Sequence, residues 1–151
     1  MKTETNLYLR SLVEQQRADL LNERSCIINR ITGSTMSDDE IEDAAFNLSE
    51  IGQKIRKFNG FLSDLRQEGH KNELGPQPTH VLSEEAIMFI RYTLKVCVDI
   101  AKEDLARTKS MPPVLNSYVR NQLRIKHKEL NIGMTTSVLS EFNAAYPPSK
   151  E

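Results

Sequence analysis

The sequence has few of the residues that mark disulfide-rich, fibrous or metal-binding proteins. Its 151 residues include two cysteines, six glycines, six prolines and no tryptophan. Cys26 and Cys97 stand alone, without the C-x-x-C spacing of a zinc or redox site. His70, His80 and His127 are not spaced for metal binding with another histidine, cysteine or carboxylate. We therefore expect no metal site, no disulfide framework and no collagen-like or low-complexity region.

The sequence also has no marked excess of positive or negative charge, although its charges are unevenly distributed along the chain. With 20 basic and 21 acidic side chains, the net charge of -1 excludes a generally basic nucleic-acid coat and an acidic DNA mimic. Residues 1–85 carry 10 basic and 15 acidic side chains, whereas residues 86–151 carry 10 and 6. This dipolar distribution favours partners selected by charge, or head-to-tail self-association.

Long apolar runs are absent as well. The most apolar segment, residues 86–101, contains Arg91, Lys95 and Asp99 and is too short to span a bilayer. The first residues lack the apolar core of a signal peptide. We expect a soluble, cytoplasmic protein with reduced thiols that does not enter a membrane.

What the sequence does contain is helical spacing of apolar residues, without the strict alternation of strands. The first predicted helix covers about residues 6–32. The second has the clearest start, because Ser37 and Glu40 together can form a capping box. Proline and glycine in residues 69–82 predict a linker, after which a third, largely buried helix begins at Ser83.

The second helix carries apolar residues in a heptad pattern to about residue 66, which is typical of a coiled coil. These residues, which we call the heptad seam, are Ile41, Leu48, Ile51, Ile55, Phe58, Leu62 and Leu65, with Ala44 at a further core position. The short connection of residues 33–36 favours an antiparallel hairpin with the first helix. Alternatively, a second copy or another protein covers the seam.

The C-terminal part predicts two further helices. Leu115, Val119, Leu123 and Leu130 form the apolar stripe of a fourth helix at about residues 114–130. Residues 131–133, Asn-Ile-Gly, predict its end, and a short fifth helix follows.

The predicted fold is all-α: a helical bundle of a long antiparallel hairpin, a largely buried third helix and a smaller C-terminal helical pair. Its predicted parts are the hairpin at 1–68, the linker at 69–82, a C-terminal part at 83–146 that packs on the hairpin, and a disordered tail at 147–151.

The candidate binding residues lie on the fourth helix. Arg120, Arg124 and Lys128 are four residues apart and share a helix face, with Lys126 beside them. Such a row can bind phosphates or an acidic protein, or it can simply be a solvated face.

Residues 115–145 also resemble a helix-turn-helix, in which a second helix enters the major groove of DNA. The fit is imperfect, since the second helix has no arginine or lysine and carries Glu141. An ordinary helical hairpin is the alternative.

No catalytic signature is present. The sequence has no glycine-rich phosphate loop, no nucleophile elbow and no zinc-protease motif. We expect no enzyme activity and no cofactor. The expected function is a non-enzymatic protein–protein interaction module, such as an adaptor, assembly subunit or inhibitor, whose partner is another protein or a second copy. The alternative is a nucleic-acid-binding regulator that uses the C-terminal segment, with the hairpin as dimeriser.

Overall fold

Four helices make up nearly all of the part of the chain that the structure describes. This computed structural model describes residues 1–33, 35–74, 82–111 and 118–149, with the backbone alone at 70–74. The helices are α1 (Thr3–Gly33), α2 (Asp38–Leu74), α3 (Glu84–Ser110) and α4 (Tyr118–Ala145), and these ranges contain no strand. The predicted all-α fold is confirmed.

The helices form two compact units. One comprises residues 2–83, in which α1 packs on α2, and the other comprises residues 84–151 with Met1, in which α3 packs on α4. Each unit is therefore a pair of long helices that bury apolar residues against each other.

In the first unit, α1 and α2 form the predicted antiparallel hairpin. Side chains near the start of α1 meet residues near the end of α2: Asn6 Nδ2 donates a hydrogen bond to the Leu65 carbonyl oxygen at 2.8 Å. Further along, Arg17 donates to Asn59 Oδ1 at 2.8 Å.

The capping box predicted at the start of α2 is confirmed. The Ser37 amide donates to Glu40 Oε2 at 2.9 Å, and the Glu40 amide donates to Ser37 Oγ at 3.3 Å. The Ser37 hydroxyl also donates to Glu40 Oε2 at 3.1 Å. The hydrogen bonds that the Ser37 amide and hydroxyl donate to the Glu40 carboxylate lower its pKa from the usual value. The cap satisfies amides that the first turn of a helix otherwise leaves unpaired.

Burial along the hairpin is strongly graded. Away from the turn, the core holds residues from both helices: Leu9, Val13, Phe58, Phe61, Leu62 and Leu65. Nearer the turn, Ala44 is buried, but Ile41 is 42% exposed. The heptad seam is therefore covered unevenly: Ile51, Phe58, Leu62 and Leu65 are buried, Leu48 and Ile55 are half-buried, and Ile41 is exposed.

In the second unit, polar contacts join the start of α3 to the end of α4. Arg91 donates from Nε to Asn143 Oδ1 at 3.0 Å and from Nη2 to the Tyr146 carbonyl at 2.6 Å. The Phe142 and Tyr146 rings lie 5.2 Å apart between centroids. Since the Arg91 hydrogen bonds join the start of α3 to the end of α4, the pair is antiparallel.

The prediction that α3 is largely buried is correct for one face only. Ala86, Ile90 and Leu94 are fully buried, whereas Tyr92 is 70% exposed and Ile100 is 60% exposed. The helix is thus amphipathic, with an outer side that carries apolar as well as charged residues.

The predicted break at residues 131–133 is wrong, because α4 runs without interruption from Tyr118 to Ala145. The predicted C-terminal helical pair is accordingly one helix, whose partner is α3. Gly133 has no positive φ, so it sits in the helix as an ordinary helical residue. A helical glycine costs only about 1 kcal/mol, and burial of Thr135, Val138 and Phe142 beyond it favours continuation of the helix.

One other predicted boundary also changes. The linker predicted at 69–82 begins later, because α2 continues to Leu74. The remainder of that linker at 75–81, and the predicted start of the fourth helix at 114–117, lie outside the described residues. Residues 147–149 of the predicted tail are not helical.

Candidate protein-interaction surface

The side of α4 next to its buried residues is apolar and open to solvent. Four side chains form this surface, which we call the α4 outer face: Val119 (69% exposed), Leu123 (62%), Leu130 (70%) and Met134 (52%). At about 100° of rotation per residue, these positions fall within about 60° of arc around the helix. The buried Thr135, Val138 and Phe142 lie on the adjoining side, centred about 100° further around the helix. The α4 helix is therefore apolar over a wide arc, of which only one part is covered.

Cations border the outer face on both sides. Arg120 and Arg124 lie along one edge and Lys126 lies along the other, and all three are exposed. On the Lys126 side, a shallow groove of about 450 Å³ runs along the helix between Tyr118 and Glu129. Glu129 itself pairs with Lys109 of α3 at 3.2 Å.

Lys128 does not belong to this exposed cationic surface. Its Nζ lies 2.6 Å from Asp104 Oδ2 and 2.8 Å from Thr108 Oγ1, both on α3. The hydrogen bond from Lys128 lowers the pKa of Asp104, and the positive charges of Arg107 and Arg124 add to this effect. The row of four candidates is thus divided: Lys128 holds α3 to α4, while Arg120, Arg124 and Lys126 face solvent.

The outer face is the feature that sequence reasoning missed. The spacing of Val119, Leu123 and Leu130 predicts the apolar stripe of a helix, and such stripes normally pack inward. In the structure the side that carries Lys128, Thr135 and Val138 is covered instead. The available signal was an arc of apolar residues on one helix that is wider than a single packed face.

A second exposed apolar residue lies near the turn of the hairpin. Phe46 of α2 is 65% exposed. Four exposed carboxylates share its side of the helix: Asp39, Glu42, Asp43 and Glu50. We call these five residues the Phe46 patch. No lysine, arginine or histidine occurs in residues 38–53, and the first cation of α2, Lys54, lies one turn beyond Glu50 at the edge of this patch.

The turn end of the hairpin also contains a small groove of about 180 Å³. Its lining includes Ile27 and Arg30 of α1 with Ala44 and Asn47 of α2. The positive charge of Arg30 contributes to the lowered pKa of Glu40 at its rim. The groove brings together one cation and two acidic side chains, Glu40 and Asp43, around an apolar floor.

Groups suited to metal binding do not converge in the described ranges. Among those residues, no three histidine, cysteine or acidic side chains are arranged to hold a metal ion. Burial raises the pKa of the Cys97 thiol, so at neutral pH this group stays in the less nucleophilic protonated form. Within the same part of the chain, no helix combines the length and apolarity that crossing a membrane requires.

Compared with known proteins, the chain matches no family model, no curated protein and no solved structure. Its own surfaces are therefore the basis for any functional conclusion.

Proposed function

We propose that this chain is a non-enzymatic protein–protein interaction module that binds its partner through helical surfaces. The observation that supports this is the α4 outer face. Single exposed apolar residues are common on protein surfaces, but Val119, Leu123, Leu130 and Met134 are each more than half exposed and share one arc of one helix. Covering that arc with a partner helix removes apolar surface from water, which is the main source of affinity in such contacts.

The charges around the outer face supply orientation and partner choice. Arg120, Arg124 and Lys126 surround its N-terminal half. Rim charges of this kind mainly change the rate of association and the discrimination between partners, and salt weakens their effect. A partner with apolar residues flanked by carboxylates fits this arrangement.

Such a surface is consistent with a role as an adaptor, an assembly subunit or an inhibitor, which we propose acts in the cytoplasm. Each of these roles needs a stable helical scaffold and an exposed recognition face, and none requires catalytic groups. The candidate partner-binding cations are Arg120, Arg124 and Lys126. Lys128 is not one of them, because it contacts Asp104 and Thr108 of α3.

Nucleic-acid binding by residues 115–145 was the alternative. A helix-turn-helix requires a turn near residues 131–133, where α4 is continuous, so that motif is wrong for this chain. The exposed cations Arg120, Arg124 and Lys126 are the remaining basis for this alternative. A fluorescence titration with duplex DNA at low and moderate salt tests it directly, because phosphate binding weakens steeply as salt rises.

The experiment for the proposed function is affinity capture from source-cell lysate with quantitative mass spectrometry. Wild-type protein is compared with a Leu123→Glu, Leu130→Glu variant, which places charge in the outer face. A matched control is Ile100→Glu, because Ile100 is a similarly exposed apolar residue on α3. Far-UV circular dichroism establishes that all three proteins are folded.

We expect the wild type and Ile100→Glu to retain the same specific protein, which need not be a second copy, and the outer-face variant to lose it. Equal retention by all three proteins, or no specific retention by the wild type, contradicts the proposed function.

A further inference from the structure

Two exposed surfaces of this chain have opposite charge and similar form. The α4 outer face presents aliphatic side chains bordered by Arg120, Arg124 and Lys126, whereas the Phe46 patch presents one aromatic ring among four carboxylates. Each surface lies on a single long helix, so each is a regular ridge that a second helix can contact along its length.

We infer that the α4 outer face of one copy binds the Phe46 patch of a second copy, so that the chain associates with itself through unlike faces. This inference rests on the proposed function, since it uses the same outer face and names its partner.

Charge complementarity is the reason to pair unlike faces. Contact between two α4 outer faces brings Arg120, Arg124 and Lys126 close to the same cations of the other copy. Contact between two Phe46 patches brings carboxylates together. Like charges facing each other across an interface disfavour both arrangements, whereas the unlike pairing places arginine opposite Glu42 and Glu50.

The apolar residues favour the same pairing. Among the α2 side chains that the structure describes, Phe46 is the most exposed large apolar one. Val119, Leu123 and Leu130 offer a row of aliphatic groups with one helical turn or more between them. An aromatic anchor held between aliphatic side chains and surrounded by charge pairs is a common arrangement in protein interfaces.

Pairing of unlike surfaces is a heterologous contact, to which the two copies contribute different residues. A single such contact leaves one free surface of each kind, to which further copies can add.

Sedimentation velocity on the purified full chain tests the inference. The series covers a hundredfold range of protein concentration, at about 50 mM and about 500 mM salt. We expect the mass to rise with concentration above the 17.2 kDa of one chain, and to rise less at high salt. A monomer throughout the low-salt series overturns the inference.

Charge reversal identifies the surfaces. One variant carries Arg120→Glu and Arg124→Glu, and the other carries Glu42→Arg and Glu50→Arg. Each alone is expected to weaken association at least about tenfold, because like charges then meet at the contact. In an equimolar mixture, the acidic outer face of the first variant meets the basic patch of the second, and the two unchanged surfaces also complement each other. The mixture is therefore expected to regain association.

A matched control reverses Lys95 and Lys102, which are exposed lysines on α3, to glutamate and is expected to associate like the wild type. If neither reversal weakens association, or if the mixture stays monomeric, the inference is wrong. A strictly monomeric chain that still retains a different protein through Leu123 and Leu130 leaves the proposed function intact.

Discussion

Asn6 of α1 is buried and donates a hydrogen bond from its side-chain nitrogen to the main-chain oxygen of Leu65 on α2, at 2.8 Å. Leu65 is itself fully buried in the hairpin core. One turn further along α2, Gly69 leaves room for the Asn6 amide: a Cβ at position 69 would lie 3.1 Å from Asn6 Oδ1. A buried, directional hydrogen bond therefore joins the two helices at the open end of the hairpin.

Replacing Asn6 by aspartate tests this hydrogen bond. The variant loses the donor and places a carboxylate against a carbonyl oxygen in a buried position, so we expect a loss of about 1–3 kcal/mol in the free energy of unfolding. Urea unfolding followed by circular dichroism measures it. The control Asn22→Asp, at an exposed position of α1, is expected to change stability little. Equal effects at both positions contradict the role given to Asn6.

Gly69 and Gly60 form a second matched pair on α2. Alanine in place of a helical glycine generally adds up to about 1 kcal/mol of stability. A Cβ at Gly60 meets no neighbour within 4 Å, so we expect that gain from Gly60→Ala. At Gly69 the new methyl group crowds Asn6, and we expect a smaller gain or a loss. The same urea measurement distinguishes the two, and a larger gain at Gly69 is the contrary result.

The heptad seam is expected to show unequal energies along its length. Leu65→Ala removes a fully buried side chain and should cost about 2–5 kcal/mol. Ile41→Ala changes a residue that is 42% exposed and should cost about 1 kcal/mol or less. Thermal and urea unfolding measure both. A uniform cost at the two positions would indicate that the turn end of the seam is covered as fully as the open end.

Gly133→Ala tests the continuity of α4. In a continuous helix with open space around Gly133, alanine raises helicity and adds up to about 1 kcal/mol of stability. In a turn that needs a left-handed glycine, the same change is destabilising. Circular dichroism and denaturant unfolding of the variant provide the measurement. A clear loss of stability would restore the break that the sequence predicts.

The pair of Asp104 and Lys128 makes the α3–α4 unit sensitive to acid. The folded chain holds the pKa of Asp104 below its usual value, chiefly through the hydrogen bond from Lys128. The stability from this pair is therefore present above the pKa of an unfolded aspartate, about 3.9, and is lost as pH falls through the lower folded value.

We expect wild-type protein to be more stable than Asp104→Asn at neutral pH, with the difference disappearing in strong acid. An NMR titration of Asp104 in the Lys128→Gln variant should show its pKa rising towards the usual value. A difference in stability that does not depend on pH contradicts this account.

Particular residues show which features of the structure could be predicted from the sequence. The capping box of Ser37 and Glu40 was predictable because its hydrogen bonds are local and depend only on residue type and spacing. The hairpin followed from a short connection between two apolar helices. The inward position of Lys128 was not predictable, since it depends on where Asp104 and Thr108 lie on another helix.

By itself the sequence determined that the chain forms helices, where α2 begins, and which residues of each helix are apolar. These properties follow from neighbours within a few residues, where periodicity, caps and dipoles act. Only the tertiary structure decided which apolar face is covered, how much of the heptad seam is buried, and whether α4 passes through Gly133. Those outcomes depend on packing between helices, which outweighs a local cost of about 1 kcal/mol at one glycine and leaves Val119, Leu123, Leu130 and Met134 facing water.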